Sequence, residues 1–170
     1  MALHKVEFTK QLDDTLKRMK TGGLLLTSAG PDGAPNVMTL GWGNVGIVWG
    51  RPVFVVYVRP SRFTFQNIEA TGEFTVNVPT EEMAQVCLAC GQESGRDVDK
   101  FEKHHLTAEP AETVGPPLIA ECTRHYECRI VHRNDVSDAA LDPEIRADAY
   151  PRGDLHRVYY GQILRTAERA

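Results

Sequence analysis

Arg59–Pro79 reads RPSRFTFQNIEATGEFTVNVP, and the fold is decided there. An apolar strand ends at Arg59. A cluster of Arg59, Ser61, Arg62 and Thr64 follows, then a short helix over Phe63–Ala70, then a strand over Phe74–Val78. The cluster stands where the helix begins. Free backbone N–H groups and the positive end of the helix dipole favour an anion at that point. Two guanidinium groups and two hydroxyls suit a phosphate. A plainer reading is a capped surface helix with solvated arginines. A cap needs only Ser61, however, and leaves the arginine pair unexplained.

Outward from this stretch, short strands punctuated by Gly and Pro dominate. Lys10–Lys20 predicts a helix, with Leu12, Leu16 and Met19 at helical spacing and Gly22–Gly23 as its stop. Leu24–Ser28 predicts a strand, and the GPDG of Gly30–Gly33 a turn. Asn36–Trp42 and Ile47–Trp49 read as strands joined through Gly43–Gly46. Val53–Val58, between Pro52 and Pro60, reads as a buried strand. Gly72 is the expected stop of the Phe63–Ala70 helix. Thr80 and two glutamates open a helix to about Cys90, ended by Gly91. Asp97–Lys103 predicts another helix, and Glu109–Ile119 a proline-rich loop. Tyr126–Val131 and Val158–Ile163 predict late strands. Asn134–Gly153 reads as an acidic excursion. The strand–helix alternation of a parallel sheet is missing. The expected architecture is one domain over residues 1–170: a mostly β, antiparallel barrel decorated by helices.

The chain has 170 residues, enough to bury roughly 70% of its unfolded surface. Its 42% apolar and 25% charged residues are those of an ordinary soluble globular protein. A net charge of −4 argues against nucleic-acid binding while leaving room for a local basic pocket. The charged N-terminus lacks a signal-peptide core, and no apolar run approaches the ~20 residues of a membrane span. The expectation is a cytoplasmic protein whose four cysteines are reduced thiols.

Two further blocks carry candidate chemistry. In GQESGRDVDKF, Gly91–Phe101, the turn around Ser94 and Gly95 can present N–H groups to an anion, and Arg96 and Lys100 share one helical face. Read plainly, it is a polar turn with a helix cap. In NVMTLGWG, Asn36–Gly43, small residues beside Trp42 leave a backbone edge open to a planar heteroaromatic ring. Taken alone, that segment reads better as a bulged strand with a core tryptophan. Cys87 and Cys90 have C-x-x-C spacing, but Cys122 and Cys128 are too far apart for a second pair, so zinc is disfavoured. The pair falls in an apolar helix and reads as buried packing, with a redox dithiol as the sharper alternative. Among six histidines, His125 and His156 stand nearest strands that can face a ligand; polar strand-end histidines are the plainer reading. No H-E-x-x-H, G-x-S-x-G, Walker or G-x-G-x-x-G motif is present.

In order and spacing, NVMTLGWG, RPSRFTFQNIEATGEFTVNVP and CGQESGRDVDKF together resemble the flavin reductase-like, flavoredoxin-like FMN-binding split-barrel proteins. The likeness covers Gly23–Phe101 and continues more loosely through Cys122–Ile130 and His156–Ile163. It implies a closed antiparallel Greek-key barrel, a homodimer and FMN in a groove at the subunit interface. It also implies a flavin reduced by NADH, NADPH or another donor. Under the resemblance, Met38, Thr39, Leu40, Gly41 and Trp42 line the isoalloxazine. Arg59, Ser61, Arg62 and Thr64 hold the phosphate and ribityl chain, and Asn77 reaches the same tail. Ser94, Gly95, Arg96 and Lys100 close the phosphate site, and His156 lies beside the ring. Asn134–Asp154 departs from the family pattern; folded over the flavin, it would restrict access or define a substrate.

Three functions follow as expectations. The first is an oxidoreductase passing electrons from NAD(P)H through FMN to free flavin or another small acceptor. The second is an electron carrier serving a redox protein. The third is a flavin-binding module without turnover. Pyridoxamine-phosphate oxidases share the barrel class, but nothing in the sequence supports their substrate.

Overall fold

A computed structural model describes residues 2–169. Its strands are β1 (Leu3–Lys5), β2 (Leu24–Ala29), β3 (Pro35–Leu40), β4 (Gly43–Val48), β5 (Arg51–Val58), β6 (Glu73–Val78), β7 (Ala108–Glu109), β8 (Leu118–Ile119), β9 (Arg124–Asp135) and β10 (Arg157–Arg169). Its helices are α1 (Leu12–Thr21), α2 (Phe63–Thr71), α3 (Ala84–Gln92), α4 (Lys100–Lys103) and α5 (Pro143–Ala149), with single 3₁₀ turns at Glu81–Met83 and Asp138–Ala140.

The sheet is built around β2, which is buried along its whole length. Period-two alternation sends its leucines to opposite sides. Leu24 and Leu26 join Phe54, Phe74, Val76, Tyr126 and Tyr159 inside the curved sheet. Leu25 faces the other way, against Val37, Met83, Cys87, Cys90 and Ile119 beneath α3. A strand covered on both faces reads as a continuous apolar run, as LLL does here.

The main sheet runs β3-β2-β6-β9-β10-β5-β4, with β1 also on β10, and every pairing is antiparallel. The expected barrel was closed. Among the described residues, however, no ladder joins the edge strands β3 and β4. Consecutive in the chain, they sit at opposite edges of the sheet. Gly41 and Trp42 carry the backbone from one edge to the other, and one bond, Tyr57 N–H to the Trp42 carbonyl at 3.3 Å, spans the corner. The sheet is not closed by hydrogen bonds at this corner, where Gly41 and Trp42 also line a surface recess.

Other boundaries shift for local reasons. Gly43–Gly46 is strand, not linker. The reversal lies at Trp49 and Gly50, whose φ values of 53° and 69° are those of a two-residue hairpin with right-handed strand twist. The helix opened after Thr80 passes through Gly91 to Gln92. Asp99 caps α4 by accepting from the N–H groups of Phe101 and Glu102, so that helix is shorter than expected. The proline-rich loop contributes the two-residue pairing of β7 with β8. Both β9 and β10 outrun their apolar cores, because register shifts at Tyr160/Gly161 and Ile163/Arg165 break the alternation a reader of sequence relies on. Gly72, at φ 71°, ends α2 as expected. No described helix is long and apolar enough to cross a membrane.

His125 shows how the sheet handles a buried titratable group. It is fully buried, with Nδ1 2.8 Å from Asn77 Oδ1. Burial, reinforced by Arg169, Arg165 and Arg124, pushes its pKa down to about 3. Burial and Arg59 likewise lower His156 to about 4. Both rings are held neutral in the fold but take up protons near pH 6.5 when unfolded. The stability they contribute is therefore complete above pH 6.5 and is lost as the pH falls toward 4 and 3. Each such proton adds a slope of about 1.4 kcal/mol per pH unit within its window. Urea midpoints measured from pH 7 to pH 4 should fall steeply, and His156→Gln should flatten that fall. An unchanged slope in the variant would contradict the assignment.

Candidate functional site

The start of α2 brings four elements together. Arg59, at the end of β5, donates from Nη2 to the Ala149 carbonyl at 2.9 Å and from Nη1 to the Asp154 carbonyl at 3.0 Å. Its guanidinium also lies 5.0 Å from the Tyr150 ring centroid. Arg62, at the N-cap of α2, donates to the Gly91 carbonyl at 3.0 Å. Arg96 donates to the Ser61 carbonyl at 3.0 Å and stacks over Phe63. Lys100 is buried, and its Nζ reaches the carbonyls of Cys90 and Glu93, each at 3.1 Å. That burial holds its pKa below the usual lysine range.

Two adjoining recesses run along these residues and share Met38 and Arg62 as a common wall. One is lined by Ser61, Thr64, Ser94, Gly95 and Lys100, among others. The other is lined by Thr39, Gly41, Trp42, Tyr57, Arg59 and His156. The groove thus has a cationic, hydroxyl-bearing end at the start of α2 and an aromatic end where the sheet opens. At the aromatic end Trp42 is 45% exposed, 4.8 Å from the His156 ring and edge-on to Tyr150. Tyr150 Oη lies 2.7 Å from His156 Nδ1 and fixes the imidazole's orientation.

Most residues singled out from sequence converge here. Met38, Thr39, Gly41, Trp42, Arg59, Ser61, Arg62, Thr64, Ser94, Gly95, Lys100 and His156 all line the groove, and Arg96 bridges its rim. Two do not. The Leu40 side chain is fully buried in the main core. Asn77 is fully buried in β6, where its Nδ2 donates to the Leu25 carbonyl at 3.1 Å and its Oδ1 accepts from Ile119 N–H at 3.2 Å. Its amide is committed to holding β2, β6 and the β8 strand together, so it belongs to the sheet and not to the groove. Thr64 contributes through its position: its buried hydroxyl accepts from Asn36 Nδ2 at 2.9 Å.

Sequence reasoning missed Tyr57, Tyr150 and Asp154. Tyr150 and Asp154 come from the acidic excursion, which folds back over Arg59. Asp154 Oδ2 accepts from the Ser61 hydroxyl at 2.6 Å, and Oδ1 from the Ser61 N–H at 3.3 Å. The chain's own carboxylate therefore occupies the N–H and hydroxyl that open α2. The signal was present in sequence as Gly153-Asp154, a turn that places Asp154 at φ 55°. Cys87 and Cys90 are buried free thiols, raised to about 11 chiefly by burial. That is the packing reading of the pair; a thiol this far above neutrality is a poor nucleophile. Among the described residues, no cluster of three or more His, Cys, Asp or Glu could hold a metal.

An antiparallel sheet with flanking helices and a groove at its open corner, cationic at one end and aromatic at the other, is the frame of the split-barrel class. Residues 16–169 match the family model of the flavin reductase like domain, and the chain belongs to that family. An uncharacterized protein of Archaeoglobus fulgidus is 36% identical over 107 residues, which are 63% of this chain and 60% of that protein. The chain thus matches less than two thirds of that relative's length. Flavoredoxin from Methanosarcina acetivorans superposes with a TM-score of 0.67 at 27% identity, covering 86% of this chain and 68% of the other. An FMN-binding domain of a flavin reductases-like enzyme from Shewanella baltica OS155 superposes with a TM-score of 0.69 at 20% identity, covering 98% and 77%.

Proposed function

We propose that this chain binds FMN along the groove and works as an oxidoreductase, passing electrons from NADH or NADPH to free flavin or another small acceptor. The observation that carries the reading is the polarity of the groove. Arg62, Arg96, Lys100 and two serines gather at one end, and Trp42, Tyr57 and His156, with Arg59 beside them, at the other. An FMN molecule has the same polarity, with a phosphate at one end and a planar ring at the other. The donor set fits the group: guanidinium and hydroxyl groups for the phosphate, backbone and apolar edges for the ring. FMN, when bound, supplies the hydride and electron chemistry.

The chain's own residues bind, orient and shield. Arg59 and Arg62 neutralise phosphate charge. Met38 and Thr39 would wall the ring end of the groove, and Trp42 would stand at its mouth. His156 is neutral at pH 7, so it presents a hydrogen-bonding edge without placing a positive charge there. The homodimer with FMN at its interface belongs to the same proposal; the exposed Trp42 at the mouth of the groove supports it. A single-domain organisation and a cytoplasmic setting belong to the same proposal.

The likeness to a flavoredoxin supports a second reading, an FMN electron carrier serving a redox protein. One experiment separates them. The purified protein is titrated with FMN, and NADH and NADPH oxidation is followed with and without it. Bound FMN together with oxidation above the rate of free FMN supports the reductase. Bound FMN without that oxidation supports the carrier. A protein that leaves added FMN free sinks both.

A further inference from the structure

We propose that Asn36 is a positioning residue for the phosphate end of the groove: it holds the Thr64 hydroxyl so that its hydrogen stays free for an incoming phosphate. The inference rests on the flavin reading of the groove and adds to it a residue that acts through another.

Three stretches far apart in sequence meet at Asn36, which is buried on β3. Its Nδ2 donates at 2.9 Å to Thr64 Oγ1, in the first turn of α2. The same nitrogen lies 3.4 Å from Ser28 Oγ on β2. Asn67, further along α2, donates to that serine oxygen at 3.2 Å. On its other side, Asn36 Oδ1 stands against Gly95. A Cβ at position 95 would collide with Oδ1 and would lie 2.9 Å from the Phe63 ring. The glycine of the Ser94-Gly95-Arg96 turn is therefore what lets the amide fit between that turn and the start of α2.

A hydroxyl has one hydrogen to give and two lone pairs with which to accept. At Thr64 the Asn36 amide occupies a lone pair, and the hydrogen is left over. Among the described residues, Thr64 Oγ1 has no acceptor for it. Thr64 is buried, yet it and Asn36 both line the recess that Ser61, Ser94 and Lys100 also line. An ionised phosphate oxygen accepts hydrogen bonds and has no hydrogen of its own to give. The donated N–H polarises the hydroxyl in the direction such an oxygen needs. The chain of amide, hydroxyl and phosphate is thus two-thirds built before a ligand arrives, which lowers the ordering cost of binding.

The test is a mutant cycle of Asn36→Ala and Thr64→Val. It is read as dissociation constants for FMN and for riboflavin, which lacks the phosphate. Asn36→Ala should weaken FMN by about tenfold, the scale of one hydrogen bond, and riboflavin by less than about twofold. Thr64→Val should do the same. The double variant should lose no more than Thr64→Val alone, because Asn36 then has no hydroxyl to position. A role in packing alone gives a different pattern: equal losses for FMN and riboflavin, or an Asn36→Ala loss that persists in full beside Thr64→Val. Either result overturns the inference and leaves the groove intact. A wild-type chain that binds neither flavin overturns the groove reading and this one with it. Asn36 is buried, so a thermal melt checks that each variant folds. Should Asn36→Ala fail that check, Asn36→Asp, of nearly the same shape, takes its place in the cycle. It should cost FMN more with Thr64 present than in the Thr64→Val chain, and an equal cost in the two overturns the proposal.

Discussion

Replacing Arg59 and Arg62 together with alanine should weaken FMN binding by about a hundredfold or more. Each charge-assisted phosphate contact is worth about 1.5–3 kcal/mol, and two such contacts exceed the ~2.7 kcal/mol that a hundredfold represents. The measurement is quenching of flavin fluorescence, with riboflavin titrated in parallel. Riboflavin has no phosphate, so its constant should move far less than that of FMN. Equal losses for the two would reject the phosphate assignment. Arg59 also ties the Ala149–Asp154 segment to the groove, so the double variant should loosen that segment as well. Asp154→Asn moves affinity the other way. Its carboxylate shares the Ser61 N–H and hydroxyl with any incoming phosphate, and removing the charge should tighten FMN several-fold.

The largest effect on stability is expected from Phe74→Ala, at about 3–5 kcal/mol. Phe74 is fully buried in the main core, near the start of β6. Its ring lies against Gly161 on β10: a Cβ at 161 would come within 2.7 Å of Phe74 Cε1 and 2.9 Å of Cys128 Cβ. Against a total stability of roughly 5–15 kcal/mol, this loss is large. Urea unfolding should show a lower midpoint at an unchanged slope. A cycle with Gly161→Ala adds a sharper check. Alanine at 161 should destabilise the wild-type chain by overpacking and be far better tolerated once the ring is gone. A loss below ~1 kcal/mol for Phe74→Ala would mean that the β6–β10 contact does not form the core.

Much of this was legible in the residues. Val53–Val58 and Leu24–Leu26 are unbroken apolar runs, and such runs mark strands buried on both faces. RPSRFT announced both a helix start and its charge. The open corner was not legible. Nothing in Gly41-Trp42 says that the two strands it links lie at opposite edges, because that depends on how β9 and β10 insert between them. The role given to Asn77 failed for a related reason: alternation along EFTVNV gives the face of a residue, but not which partners crowd that face. Asp154 was missed because its partner Ser61 stands 93 residues earlier. Charges that meet across such a distance leave no local pattern.

The four cysteines offer a use unrelated to flavin. Each is a free thiol with no more than 2% of its surface exposed, and they sit in different parts of the chain: Cys87 and Cys90 in α3, Cys122 in the loop before β9, Cys128 within β9. An alkylating reagent can reach them only when the structure around them opens. Labelling rates read site by site by mass spectrometry therefore time the opening of the helical cover separately from that of the central sheet. If α3 lifts on its own, Cys87 and Cys90 will react together well before Cys128. The protein carries its own stopwatch for local unfolding, with no probe to be engineered in.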